Sequence, residues 1–151
     1  MEIERKFLVQ NDSWKKQAIG SYQIEQFYVC KDKTSSIRFR KMTYKSGLTF
    51  HVCTIKSSIE NTVLSRNEIE FEVSAAVYAK AKAVHQGSII EKVRHQVQYK
   101  KQYFEVDEFS TGLVLAELEL KSEDQVIVNP DWLGLDVTAN HLYKNTALAG
   151  L

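Results

Sequence analysis

Proline, glycine and cysteine are scarce in this chain, and each scarcity narrows its possible organisation. The 151 residues include one proline, six glycines and two cysteines. With one proline and no glycine-rich stretch, the sequence offers no candidate linker, so we expect a single domain over residues 1–151. Cys30 and Cys53 match no metal-ligand spacing and are too few for a disulfide framework. We therefore expect free thiols in a reducing compartment and a cytoplasmic location.

Long apolar runs and an excess of charge of one sign are also absent. No apolar stretch approaches the ~18 residues of a membrane-spanning helix, and the acidic, strand-like start does not have the form of a signal peptide. The net charge is +1, from 20 basic and 19 acidic residues. A nucleic-acid partner usually meets a strong basic excess, so the balance argues against one, although it permits a local positive patch. We expect neither a membrane nor a nucleic acid as partner.

Familiar nucleotide-binding and hydrolase motifs are missing as well. The sequence contains no P-loop, no Rossmann glycine motif and no G-x-S-x-G. Its four histidines have no metal-ligand spacing, and we interpret them as surface or packing residues. These absences leave the charged side chains as the main source of any chemistry.

Charge that alternates with apolar residues is what the sequence does contain. Glu2, Glu4 and Lys6 alternate with Ile3 and Phe7, and a β-strand places residues i, i+2 and i+4 on one face. The same period predicts eight strands, at residues 2–9, 22–30, 36–44, 49–56, 63–73, 89–99, 103–109 and 113–121. Short helices are predicted at 14–19, 74–87 and 138–148, and residues 122–125 resemble a capping box for another short helix that 129–130 would end. Because short connections favour antiparallel pairing and eight strands can close a barrel, we predict a mainly β, α+β fold: an eight-stranded antiparallel β-barrel with a few flanking helices.

The strand faces carry charges of both signs. Four acidic pairs occur at spacing i, i+2, and cations fall in phase on other strands. A single charged face is commonly solvated, but like charges two apart on one face repel, so four acidic pairs suggest that cations sit among them. The charges either face bulk solvent around an apolar core or line a wet tunnel whose apolar outside is partly covered by helices. The acidic pairs are Glu2/Glu4, Glu68/Glu70, Glu105/Asp107 and Glu117/Glu119, and the cations are Arg38, Arg40, Lys56, Lys92 and Arg94.

If these charges share one interior surface, their chemistry suggests a ligand. Clustered carboxylates without His or Cys are hard oxygen ligands, which suit Mg²⁺, Mn²⁺ or Ca²⁺. Clustered Arg and Lys side chains suit phosphate oxygens. The two sets together fit a complex of a metal ion with a polyphosphate.

The order of the charged blocks resembles a known family. The start EIERKFLV resembles the E-x-E-x-K signature of the CYTH, or triphosphate tunnel metalloenzyme, superfamily, especially its small bacterial members. Seven further blocks follow in that family's order: RFR, TIK, RNEIE, EKVR, FEVD, ELEL and a late YKN. The resemblance implies a single tunnel domain in which an eight-stranded barrel holds a linear triphosphate, with Mg²⁺ or Mn²⁺ as cofactor.

The resemblance also implies roles for individual residues. The implied metal ligands are Glu2, Glu4, Asp107, Glu117 and Glu119. The implied substrate-binding cations are Lys6, Arg38, Arg40, Lys56, Arg66, Lys92 and Arg94. Supporting carboxylates are Glu68, Glu70 and Glu105, and the catalytic candidates are Glu4, Glu119 and Lys144, the last of these on the final helix.

The activity implied is hydrolysis of inorganic triphosphate to diphosphate and phosphate by a metal-dependent enzyme. Hydrolysis of nucleoside or thiamine triphosphate and cyclisation of ATP are alternatives on the same scaffold, because they differ in what lies at the tunnel mouth. A non-catalytic module that binds polyphosphate or a nucleotide is a further alternative. The expected partner is a small-molecule triphosphate, and the expected state is a monomer or homodimer.

Overall fold

Strands make up most of the regular structure. The computed structural model describes residues 2–58 and 65–151. The strands in these residues are β1 (Glu2–Val9), β2 (Ala18–Lys31), β3 (Ser35–Tyr44), β4 (Thr49–Ser58), β5 (Ser65–Glu72), β6 (Gln86–Tyr99), β7 (Gln102–Phe109), β8 (Val114–Glu119) and β9 (Leu133–Asp136). The helices are α1 (Ala75–Lys82) and α2 (Asn145–Leu148), with 3₁₀ turns at Ser13–Gln17 and His141–Tyr143. No helix within these ranges is long and apolar enough to cross a membrane.

Eight strands close into an antiparallel barrel, which confirms the predicted fold. Their order is β5-β4-β3-β2-β6-β7-β8-β1, and Glu2 of β1 pairs with Arg66 of β5 to complete the ring. Strands that follow one another along the chain pair as hairpins from β2 to β5 and from β6 to β8. The ninth strand, β9, pairs with the later part of β1, beyond the reach of β5.

The charged strand faces point into the barrel. Lys56 of β4 forms an ion pair with Glu2 of β1, and Arg94 of β6 approaches Glu117 of β8, so each contact spans an intervening strand on the concave side. Seven charged residues at inward positions, including Lys92, are at most 8% exposed. Of the two arrangements that the sequence left open, the charged interior is therefore the one observed.

Aromatic residues from helices and loops cover the apolar outer face. Trp132, which precedes β9, packs edge-on against Phe104 with ring centroids 5.0 Å apart, and Trp14 of the first 3₁₀ turn joins the same cluster. On another part of the wall, Tyr78 of α1 packs on Phe27 at 5.1 Å. Large buried rings contribute strongly to stability, so the wall is stabilised from outside while its interior is left to charged groups.

The C-terminal segment closes one end of the barrel. Leu148, Ala149 and Leu151 pack with inward-facing apolar residues that lie at that end of their strands, among them Phe109. Gly87 is required at this contact, because its φ is +68° and a Cβ there would lie 2.2 Å from the Ala149 carbonyl oxygen. The inward-facing strand residues of this apolar cluster are Leu8, Tyr28, Ile90, Phe109 and Leu115.

Several predicted helix and strand boundaries are wrong. Strands β2 and β6 begin at Ala18 and Gln86 rather than at 22 and 89, and β8 ends at Glu119 rather than at 121. The stretch at 14–19 is a 3₁₀ turn that ends at Gln17, and 122–125 forms a turn rather than a helix. The final helix predicted at 138–148 is reduced to a 3₁₀ turn and the four residues of α2. Helix α1 is confirmed, with the Ser74 Oγ accepting from the Val77 N–H, but it ends at Lys82. The first two residues of the strand predicted at 63–73 lie outside the described residues.

Candidate functional site

Six basic side chains predicted to bind substrate occupy the barrel interior. They come from four strands, because the two-residue period directs every second side chain of each strand inward. Five of the six are at most 8% exposed, the exception being Lys56, which is partly exposed. The residues are Lys6 on β1, Arg38 and Arg40 on β3, Lys56 on β4, and Lys92 and Arg94 on β6.

Asp107 is the counter-ion of two of these cations. Its oxygens accept from Arg94 Nε at 2.8 Å and Nη2 at 2.9 Å, and Lys92 Nζ lies 2.8 Å from Oδ2. Burial opposes the ionisation of Asp107, but Lys92 and Arg94 outweigh it and hold the pKa of this carboxyl below its ordinary value. Burial lowers the pKa of Lys92 to about 8, although Asp107 offsets part of that effect. Asp107 therefore stays ionised and fixes the two cations in place.

The acidic pair of β5 holds two other cations. Glu70 Oε2 accepts from Arg40 Nη2 at 2.9 Å and from the Thr54 hydroxyl at 2.8 Å. Lys56 Nζ lies 2.9 Å from Glu2 and 3.7 Å from Glu68. The supporting role predicted for Glu68 and Glu70 is thus matched by direct contacts with cations.

The last supporting carboxylate, Glu105, lies at the edge of the network. Its Oε2 is 3.2 Å from Arg94 Nη1, and its side chain is 43% exposed. Burial raises the pKa of Glu105, while Arg94 acts in the opposite direction. Glu105 therefore holds Arg94 less tightly than Asp107 does.

Carboxylates crowd together where β1 meets β8. Glu4 lies directly opposite Glu119, and Lys6 lies opposite Glu117. Burial, followed by the charge of Glu117, raises the pKa of Glu4 to about 8. Burial also opposes the ionisation of Glu117, but Lys6, Arg94 and Lys92 hold its pKa well below the ordinary value. Glu119, at the end of β8, is exposed.

Arg66 and Lys144 reach the same region from outside the main cluster. Both line a small pocket of about 30 Å³ together with Glu2, Glu4 and Lys6. Lys144 lies between the second 3₁₀ turn and α2, not on the helix as predicted. Burial and the neighbouring charge of Arg66 lower the pKa of Lys144. The structure therefore brings these two predicted residues to the carboxylate cluster.

The chemistry of the carboxylates fits a hard divalent cation best at Glu4, Glu117 and Glu119. Burial and then the charge of Glu117 raise the pKa of Glu4, so a cation bound beside it would favour its ionised form. Glu2 and Asp107 form closer ion pairs, at 2.8–2.9 Å, whereas Glu117 lies 3.9 Å from Lys6 and 3.8 Å from Arg94. Within residues 2–58 and 65–151, no three His, Cys, Asp or Glu side chains are arranged as a metal site.

Two interior polar residues were missed because they carry no charge. Gln26 on β2 and Thr54 on β4 are 0% and 1% exposed and lie at inward strand positions. Gln26 is directly opposite Arg40, and Thr54 is opposite Arg38. The two-residue period that placed the arginines inward would have found both residues, had polar residues been counted with the charged ones.

Comparison with known proteins agrees with this geometry. The family model described as CYTH domain matches residues 1–146. The chain is 36% identical to the inorganic triphosphatase of Acetivibrio thermocellus, over 97% of this chain and 92% of that protein. It is 33% identical to the inorganic triphosphatase of Nitrosomonas europaea, over 98% and 96% of the two proteins. A crystal structure of the inorganic triphosphatase NE1496 superposes with a TM-score of 0.68 and 29% identity, covering 99% of this chain and 94% of the other.

Proposed function

The chain belongs to the CYTH domain family, and from that membership and its interior we propose that it hydrolyses inorganic triphosphate to diphosphate and phosphate, with Mg²⁺ or Mn²⁺ as cofactor. The observation that carries the proposal is the set of buried Arg and Lys side chains enclosed by one barrel, each on an inward strand position. Relatives that share about a third of its residues over nearly their whole length are named inorganic triphosphatases. The proposed partner is thus a small-molecule triphosphate in the cytoplasm, bound by a monomer or homodimer.

Substrate binding would be an exchange of counter-ions. In the free protein, Asp107 and Glu70 form ion pairs with cations that would also bind a triphosphate. Phosphate oxygens are acceptors of the same kind as carboxylate oxygens, and Arg binds both in bidentate fashion. A linear triphosphate could therefore take over hydrogen bonds from Arg40, Lys92 and Arg94 without leaving buried donors unpaired. Because the carboxylates already hold these cations apart, the site is built before the substrate arrives.

To catalyse this reaction, the protein must position the reactants and stabilise the negative charge that develops on the leaving group. A water oxygen forms a bond to a terminal phosphorus and loses a proton to a carboxylate or to solvent. The bond from that phosphorus to the bridging oxygen breaks, and its electron pair leaves with diphosphate. The buried cations stabilise the charge that gathers on the departing oxygen, which is the main demand of phosphoryl transfer. Glu4 or Glu119 is the proposed acceptor of a hydrogen bond from the attacking water, since both lie at the carboxylate end of the cation cluster.

Metal binding is proposed for the same carboxylates. Glu4, Glu117 and Glu119 would hold Mg²⁺ or Mn²⁺, with Glu2 and Asp107 as the further ligands predicted from the sequence. When bound, the metal would supply positive charge to the phosphate oxygens. Lys144 and Arg66 would then contribute charge from the neighbouring pocket.

A second candidate substrate class is a nucleoside triphosphate, because aromatic side chains lie beside the cation cluster at inward positions of β2, β3 and β4. Tyr22 lies opposite Arg94, and its ring stacks on Tyr44 with centroids 4.8 Å apart. Phe50 meets Tyr44 edge-on at 5.9 Å. A planar base could stack on this group while its phosphates enter the cation cluster.

Phosphate release from triphosphate, ATP and thiamine triphosphate, each with and without Mg²⁺ or Mn²⁺, tests the proposal. We expect metal-dependent release that is fastest with triphosphate, and loss of release in Glu4→Gln. Tight triphosphate binding without any release would instead identify a binding module. Full metal-dependent turnover by Glu4→Gln would show that the catalytic assignment of Glu4 is wrong.

A further inference from the structure

One uncharged side chain inside the barrel is completely buried and unpaired. Gln26 is 0% exposed, and neither its Nε2 nor its Oε1 has a hydrogen-bond partner among the described residues. Buried polar side chains nearly always have a partner, so each exception calls for an explanation. An apolar residue at this position would avoid the cost of burying an amide, and the flanking inward residue Ile24 is apolar.

The neighbours of Gln26 are also short of hydrogen-bond acceptors. Gln26 lies opposite Arg40 on β3, and the next inward residue of β3 is Arg38. The Nε groups of both arginines are buried and without a partner among the described residues. Three nitrogen donors therefore remain unpaired beside a single unpaired acceptor, the Gln26 Oε1. An acceptor-only ligand would correct this imbalance, and a phosphate group is such a ligand.

We propose that Gln26 is a substrate-binding residue whose amide N–H donates to a phosphate oxygen next to Arg40. This assignment rests on the proposed triphosphatase function and adds a specific residue to it. The amide oxygen can accept from a guanidinium N–H while the amide nitrogen donates to the phosphate, so one neutral side chain joins cation and substrate. A neutral donor also binds phosphate without increasing the repulsion among Arg38, Arg40 and Lys92.

Replacement by leucine separates substrate binding from structure. Gln26→Leu keeps a similar volume and removes both unpaired atoms, so the free protein should melt at the same temperature as wild type or higher. The KM for triphosphate should rise about ten- to hundredfold, as expected for the loss of one charge-assisted hydrogen bond. Gln23→Leu is the matched control, because Gln23 lies on the outward face of the same strand and is exposed. It should leave both KM and melting temperature unchanged.

Replacement by glutamate adds a second, independent readout. Gln26→Glu places a carboxylate beside Arg38 and Arg40, where it should raise the melting temperature of the free protein and repel phosphate. Titration calorimetry with triphosphate in the absence of divalent metal should show the highest affinity for wild type, a lower affinity for the leucine variant and the lowest for the glutamate variant.

The outcomes distinguish this assignment from the function on which it rests. If wild type binds triphosphate and Gln26→Leu binds it equally well, the assignment of Gln26 is overturned and the proposed function stands. A leucine variant with a lower melting temperature but the wild-type KM would show that Gln26 has a packing role, and this result would also overturn its assignment as a substrate-binding residue. If wild type neither binds nor hydrolyses triphosphate, the proposed function and the role of Gln26 fall together.

Discussion

Removing the charge of Asp107 tests whether interior carboxylates hold the cations for the substrate. Asp107 is 1% exposed and contacts Lys92 and Arg94 at 2.8 Å. Asp107→Asn keeps the shape of the side chain but leaves two buried cations without their main counter-ion. Breaking a buried ion pair in this way typically costs about 3–5 kcal/mol. We expect a value near the lower end, because Arg94 retains Glu105 at 3.2 Å and Glu117 at 3.8 Å.

The assay is thermal unfolding with and without triphosphate, in the absence of divalent metal. For a chain of this length, about 3 kcal/mol corresponds to a fall in melting temperature of about 6–12 °C. Triphosphate should raise the melting temperature of Asp107→Asn by several degrees more than that of wild type, because phosphate oxygens replace the missing carboxylate. Asp12→Asn is the control: the ion pair of Asp12 with Lys15 is on the surface, with Asp12 85% exposed, so the change should cost less than about 1 kcal/mol.

Two results would refute the reasoning about Asp107. A melting temperature within about 2 °C of wild type would mean that Lys92 and Arg94 do not depend on this carboxylate. A large fall that triphosphate corrects no better than it stabilises wild type would mean that phosphate does not take the place of Asp107.

Three further predictions concern pH, the counter-ion of Arg40 and the helix cap. The pKa of Glu4 is raised to about 8 from 4.5 in the folded state, so the folded protein binds more protons than the unfolded chain between these values. Stability should therefore fall as pH rises from 4.5 to 8, and Glu4→Gln should flatten this part of a melting-temperature profile; an unchanged slope would contradict it. Glu70→Gln removes the carboxylate that phosphate must displace from Arg40, so KM for triphosphate should fall about three- to tenfold with little change in melting temperature, and an unchanged or raised KM would count against this exchange. Ser74→Ala removes the cap of α1 and should cost about 1 kcal/mol in denaturant unfolding without altering kcat/KM; a changed kcat/KM would show that α1 influences the site.

The two-residue period was sufficient to predict the strands and which residues share a face. It could not decide which face is inside, because alternation looks the same for a solvated outer face and a charged interior. That choice depends on long-range packing, in which Trp14 and Trp132 cover the outer wall from segments far apart in sequence. Charged residues in phase with the two-residue period lie on the same strand face, and the barrel brings these faces together. Gln26 lies on such a face as well, but it was missed because only charged residues were considered.

Short elements were the least predictable part of the fold. Strand β9 has four residues and includes Gly134, which has low strand propensity. Gly134 fits there because a Cβ would lie 2.8 Å from the Leu8 carbonyl oxygen of the neighbouring strand, a contact invisible in the sequence. The C-terminal segment is held by packing inside the barrel end rather than by helix propensity, so its helix is shorter than the local pattern indicates.

A crystal structure of the chain with triphosphate bound would show whether the charged interior is the substrate site. We predict electron density for a linear triphosphate inside the barrel, within hydrogen-bonding distance of Arg40, Lys92 and Arg94, with Asp107 or Glu70 giving up part of its contacts. Triphosphate bound only on the outer surface, with the interior ion pairs unchanged, would contradict it.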